Sequence, residues 1–82
     1  MKISKVEKVL ALLNQWDPEG RYAFTHSFRA YGYEAEVIAQ VLRSNSKIET
    51  IETAIVEVFS EVELDESEVS HMAVLIKHIK DR

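Results

Sequence analysis

Two pairs of glutamates have the spacing of metal-binding carboxylates. Glu49 and Glu52 form one Glu-x-x-Glu element, and Glu63 and Glu66 form a second one further along the chain. Helical nucleotide pyrophosphohydrolases hold magnesium with comparable acids on facing helices, where the metal neutralises phosphate oxygens. The pattern therefore makes a metal-dependent nucleotide hydrolase one candidate function for this chain.

The positions of these glutamates on their predicted helices argue against that function. At helical spacing Glu49 falls about 130° from the centre of the apolar face of its helix, and Glu63 precedes a helix instead of lying within one. Both pairs are also explained as helix-capping residues, which need no metal. We therefore expect no catalytic residue, no metal and no other cofactor, and we favour a protein that is not an enzyme.

The histidines of the last predicted helix do not form a metal site either. His71 and His78 are seven residues apart and lie roughly opposite the apolar stripe, so both should face solvent. They are separated by about 10 Å along the helix axis and cannot share one ion. His26 lies between Thr25 and Ser27 in a different environment and stays a candidate binding residue.

Residues 16–33, here called the aromatic segment, contain the only proline, both glycines and six of the seven aromatic residues of the chain. Tyrosine, tryptophan and arginine are the residue types enriched at protein interfaces. The sequence therefore predicts that a binding surface, if there is one, lies in or beside this segment. The candidate binding residues are Arg21, Tyr22, Phe24, His26, Arg29, Tyr31 and Glu34.

Glu34 has two interpretations. It projects along the centre of an apolar stripe, and a buried carboxylate needs a partner. In the first and favoured interpretation, the first turn of a helix supplies free N–H groups and nearby solvent. In the second, Glu34 pairs with Arg21 or Arg29 and holds the aromatic segment against the helix.

Trp16 also has two interpretations. It occupies the last inward position of the first predicted helix, so we expect it in the core, where large aromatic side chains dominate small proteins. The alternative is a partly exposed contact residue beside Tyr22 and Tyr31.

Four helices should position these residues. Apolar residues at helical spacing predict helices over 4–16, 33–43, 47–61 and 66–80. Three capping boxes support the starts of three of these helices. These are Ser4 with Glu7, Ser46 with Glu49, and Asp65 with Glu68.

The conformation of residues 19–32 is left open. Asp17 could cap a helix with Pro18 at its first position and Gly32 at its end. Alternatively, residues 22–28 form an irregular aromatic loop. We favour a short helix or turn followed by a loop.

Composition limits the remaining possibilities. The 82 residues predict a single all-α domain, a compact bundle of about four helices. The net charge is −4 without a basic stripe, which argues against nucleic acid as a partner. The chain has no cysteine and no long apolar run, and its first residues lack the apolar part of a signal peptide, so we expect a cytoplasmic protein that does not enter a membrane.

Two short motifs carry a resemblance to a known family. Trp16-Asp17-Pro18 closes the first predicted helix, and Tyr33-Glu34-Ala35-Glu36-Val37 opens the second. This pairing resembles a family of small, helical, cytoplasmic proteins of Bacillus-type bacteria that is catalogued as a domain of unknown function. The resemblance implies an all-helical fold and a bacterial origin, and it implies no activity.

Two function classes follow from the sequence. The first is a non-catalytic interaction module that uses residues 16–33 to bind a protein partner or a second copy of itself. The second is the metal-dependent nucleotide hydrolase, which requires Glu49, Glu52, Glu63 and Glu66 to converge.

Overall fold

The protein is all-α in the computed structural model, which describes residues 4–44 and 47–80. Within those ranges there are five helices and no strand. They are α1 (Lys5–Trp16), α2 (Arg21–Thr25), α3 (Gly32–Ser44), α4 (Ile48–Val58) and α5 (Glu66–Lys80). None of these helices combines the length and the apolar character needed to cross a membrane.

The helix caps that the sequence predicts are observed in part. Ser4 Oγ accepts a hydrogen bond from the Glu7 N–H at 3.1 Å, and the Glu7 carboxylate accepts one from the Ser4 N–H at 3.2 Å, so the first capping box is confirmed. Asp65 accepts hydrogen bonds from the backbone of the first turn of α5. The box at Ser46 lies outside the described residues.

The four long helices form a closed bundle around one apolar core. α1 packs against α3 and α5, and α4 packs against the same two helices from the other side. The inward stripes predicted from the sequence supply the core, and the radius of gyration of 11.8 Å is that of a compact domain of this length. The largest fully buried side chains are Tyr31, Phe59, Leu10, Leu13, Ile38, Leu42, Ile51, Ile55 and Ile76.

Helix α4 is shorter than its apolar pattern predicts. The pattern extends to residue 61, but the helix ends at Val58, and Phe59 leaves the helical region with φ −113° and ψ 36°. The Phe59 ring is buried between two other aromatic rings, Trp16 at 5.8 Å and Tyr31 at 5.7 Å between centroids. The chain therefore turns at Phe59 without losing the inward position that the periodicity assigns to it.

The aromatic segment contains a short helix followed by a turn, as favoured from the sequence. Helix α2 occupies only five residues, and residues 26–31 connect it to α3 without regular structure. The segment joins α1 to α3, which are neighbours in the bundle.

Candidate functional site

Helix α1 ends sharply at the start of the aromatic segment. Asp17 adopts the left-handed conformation with φ 49°, and its N–H donates to the Leu13 carbonyl at 2.7 Å. The next turn reaches α2 through Gly20, whose φ of 72° is a conformation that glycine adopts without steric cost. Aspartate tolerates left-handed backbone better than most residues, which suits it to this corner.

The Asp17 carboxylate organises the whole segment. Its two oxygens accept hydrogen bonds from the N–H groups of Tyr22 at 3.0 Å and Ala23 at 3.1 Å, which are free donors in the first turn of α2. It also accepts a hydrogen bond from the Tyr31 hydroxyl at 2.5 Å. The Tyr31 hydroxyl and then the two N–H groups stabilise the charged form and lower the pKa of Asp17 below its usual value of 3.8.

Tyr31 lies in the core and completes this arrangement from the inside. Its side chain is fully buried, and its hydroxyl accepts hydrogen bonds from the N–H groups of Glu19 at 3.1 Å and Arg21 at 3.3 Å. Burial is the main reason that the pKa of Tyr31 is raised above its usual value, and the hydrogen bond to the negative Asp17 adds to it. The neutral phenol thus holds both ends of the Glu19–Arg21 turn.

Arg21 and Glu34 form an ion pair beneath the segment. The guanidinium donates to the Glu34 carboxylate at 2.7 Å and to the Ala30 carbonyl at 3.1 Å, and its central carbon lies 4.4 Å from the centre of the Tyr31 ring. Glu34 is only 8% exposed. Of the two interpretations of Glu34, pairing with Arg21 is the one observed, whereas Arg29 takes no part.

A second polar contact, which the sequence did not single out, ties the segment to α1. Asn14 is buried, and its Nδ2 donates to the Phe28 carbonyl at 2.7 Å. The sequence feature that could have identified this contact is an amide side chain one turn after Leu10, at the edge of the inward stripe of α1. A polar residue in that position needs a partner, and the backbone of the turn after α2 provides it.

The segment presents large aromatic side chains to solvent. Phe24 is 88% exposed, and Tyr22, Phe28 and Tyr33 are exposed as well. Tyr22 and Phe28 line a shallow cavity of about 240 Å³ against α1. Phe28 and Tyr33 were not among the predicted binding residues, although both stood in the aromatic segment.

The seven predicted site residues therefore divide into two groups. Tyr22, Phe24, His26 and Arg29 are exposed. The other three, Arg21, Tyr31 and Glu34, form the supporting network. Tyr31 and Glu34 are too buried to touch a partner, so their assignment as contact residues is corrected to a positioning role.

His26 and Arg29 flank the exposed rings. His26 ends α2 in the left-handed conformation with φ 55°, and its N–H donates to the Tyr22 carbonyl at 2.8 Å. The Arg29 guanidinium has no hydrogen-bond or ion-pair partner among residues 4–44 and 47–80. Arg29 therefore adds a free positive charge to the exposed surface of the segment.

Trp16 packs on the core without being fully buried. Its ring contacts Phe59 edge to face, and its Nε1–H donates to the Glu68 carboxylate at 3.4 Å. The core interpretation of Trp16 is the one the structure favours. The alternative cluster with Tyr22 and Tyr31 does not form, because Phe59 is its aromatic neighbour.

The glutamates of the hydrolase hypothesis do not assemble into a metal site. Glu52 accepts a hydrogen bond from the Ser70 hydroxyl at 2.6 Å, while Glu49 and Glu63 lie on the surface at a helix start and in a connection. Throughout the described part of the chain, no three histidine or acidic side chains are close enough to hold one ion. The convergence that this function requires is absent for these four residues.

An acidic pocket lies between α4, α5 and their connection. Its volume is about 510 Å³, and its lining combines the polar residues Glu52, Ser60, Glu66 and Ser70 with five apolar residues. The apolar residues are Val56, Phe59, Val62, Leu64 and Val69. Val56 is half exposed to solvent.

Comparison with known proteins identifies no relative of this chain. No protein-family model matches this chain, and neither the curated proteins nor the solved structures include a match. The site must therefore be interpreted from its own geometry.

Proposed function

We propose that this protein is a small, non-catalytic interaction module that binds a protein partner, or a second copy of itself, through the aromatic segment. The observation that carries the proposal is the exposure of four large aromatic side chains on a segment whose backbone is held by buried polar contacts. The four are Tyr22, Phe24, Phe28 and Tyr33.

The conformation of the segment has an energetic cost that packing alone does not explain. Two residues other than glycine, Asp17 and His26, have positive φ, and each such residue costs about 1 kcal/mol or more. Single exposed apolar residues are ordinary, but four aromatic side chains within residues 22–33 are not. A backbone fixed before binding lowers the entropy lost when a partner orders these side chains.

The surrounding charges and composition support a protein partner in the cytoplasm. A net charge of −4 disfavours binding to nucleic acid, because phosphates would be repelled. The absence of cysteine is compatible with a reducing compartment. The bacterial origin implied by the resemblance of the two short motifs belongs to the same proposal.

Affinity capture from the native cell extract tests the proposal. Three baits are compared: the wild-type chain, the double variant Tyr22→Ser/Phe24→Ser, and the control Val74→Ser. Val74 on α5 is a matched control because it is 38% exposed, against 39% for Tyr22. We expect a specific protein with wild type and control, and at least about a tenfold loss with the double variant.

Equal capture by the double variant would contradict the proposal. So would the absence of both a captured protein and self-association of the wild-type chain. Circular dichroism of each variant checks the fold, which we expect to be unchanged because the substituted side chains are exposed.

A further inference from the structure

We infer that the aromatic segment docks head to tail on a second copy of this chain, with Phe24 of one copy in the acidic pocket of the next. The inference rests on the proposed function and names its partner. It follows from the charges, the shapes and the positions of two surfaces of the same chain.

The two surfaces carry opposite charge. Arg21 is paired with Glu19 and Glu34, so the free positive charge of the aromatic segment is the Arg29 guanidinium, which has no partner among the described residues. Residues 48–76 contain eight acidic residues and no lysine or arginine. This contrast favours contact between unlike surfaces.

The two surfaces also complement each other in shape. Phe24 is the most exposed large apolar side chain described, at 88%. The acidic pocket offers a lining of five apolar residues and a volume of about 510 Å³. The same pocket is lined by Glu52 and Glu66, whose negative charge is opposite to that of Arg29.

The same charges disfavour contact between like surfaces. Aromatic surface against aromatic surface would bring the two Arg29 guanidinium groups together, and pocket against pocket would bring together Glu52 and Glu66 of both copies. Because the two complementary surfaces lie on different elements, α2 and the α4–α5 pair, each copy can bind one neighbour at each surface. Such contacts either continue from copy to copy as an open or ring-shaped series or are made twice in a reciprocal twofold dimer, and the mass reached at high protein concentration distinguishes the two.

Sedimentation equilibrium over a range from micromolar to millimolar protein tests the inference with two complementary variants. Phe24→Ser removes the inserted ring and keeps the pocket. Val56→Arg obstructs the pocket and keeps the ring. Both sites are exposed, so both variants should fold, which circular dichroism verifies.

The expected results are specific to a contact between Phe24 of one copy and the pocket of another. The mean mass of the wild-type protein rises with concentration, and each variant alone associates at least about tenfold more weakly. An equimolar mixture of the two variants forms a dimer and nothing larger, because one intact ring meets one intact pocket. Added salt weakens the association, since it screens Arg29 from the pocket.

A matched variant and three outcomes make the test decisive. Val74→Arg adds the same charge to α5 outside the pocket and should associate like the wild type. A monomeric wild type, an unaffected Val56→Arg, or a mixture that stays monomeric would each overturn the inference. If another protein is captured in that case, and its capture depends on Tyr22 and Phe24, the proposed function is still supported.

Discussion

The four-helix core and the aromatic segment meet at Tyr31 and Phe59, yet different interactions stabilise them. The core consists of apolar side chains that α1, α3, α4 and α5 bury against one another. In the segment Tyr22, Phe24 and Phe28 face outward. Hydrogen bonds to Asp17 and Tyr31, together with the ion pair between Arg21 and Glu34, hold the backbone.

This difference teaches how a small protein can expose aromatic side chains without collapsing around them. Apolar burial has no direction, so it would draw Tyr22, Phe24 and Phe28 inward. Hydrogen bonds fix direction, and those of Asp17 orient α2 with these rings outside. The two regions should therefore respond differently to substitution and to pH.

The largest expected effect comes from the core. Ile55→Ala leaves a cavity among fully buried side chains and should lower the free energy of unfolding by about 2–5 kcal/mol. Denaturant unfolding followed by circular dichroism and by tyrosine and tryptophan fluorescence measures it. The two signals should change together, because the segment has no core of its own. A segment that stays ordered after the helices unfold would contradict the expectation that its structure depends on the core.

Tyr31→Phe should separate the two regions, because it removes only the hydroxyl and keeps the ring beside Phe59. Three hydrogen bonds lose their partner, and we expect a loss of about 1–3 kcal/mol. Hydrogen exchange should accelerate at the amides of Glu19 and Arg21 much more than in α5. The control Tyr33→Phe, at an exposed position, should change stability by less than about 0.5 kcal/mol.

Glu34→Gln should have a smaller effect. It weakens the ion pair to Arg21, and we expect a loss of about 1 kcal/mol, low for a charged hydrogen bond because the Arg21 side chain is 37% exposed. A denaturant melt against the control Glu36→Gln, an exposed site on the same helix, measures the difference. A loss below about 0.3 kcal/mol would mean that solvent replaces the pair without penalty.

The smallest effect is the acid dependence of Asp17. Its pKa in the folded protein is below the usual 3.8, so its charge stabilises the fold above that pH and loses this contribution as the pH falls through the folded value. Asp17→Asn tolerates the same left-handed backbone and removes the titration. The difference in melting temperature between wild type and variant should shrink as the pH falls below 3.8. A constant difference would show that the Asp17 charge does not stabilise the segment.

Much of the fold could be predicted because helical periodicity reports the inward face of each helix. The stripes containing Leu13, Ile38, Ile51 and Ile76 all lie in the core as expected. The end of α4 could not be predicted, because Phe59 keeps its periodic position while its backbone leaves the helix. Periodicity records where a side chain lies and not whether the helix continues.

The candidate site could be predicted in location but not in the roles of its residues. Composition singled out residues 16–33, and the apolar surroundings of Glu34 indicated that it needed a partner. The inward position of Tyr31 and the capping role of Asp17 toward α2 depend on contacts between residues 5 to 14 positions apart. Spacing along the chain carries little information about such contacts in an irregular segment.

The hydrogen bond between Asp17 and Tyr31 has a consequence for how this protein can vary. It brings the two ends of the segment together, as in a compact surface loop whose ends are close. The exposed rings of Tyr22, Phe24 and Phe28 can then be exchanged for other side chains while α1 and α3 keep their places, because Arg21, Tyr31 and backbone groups hold the segment. The helices of the bundle would then stay the same, while substitutions in the loop would change which partner the proposed surface binds.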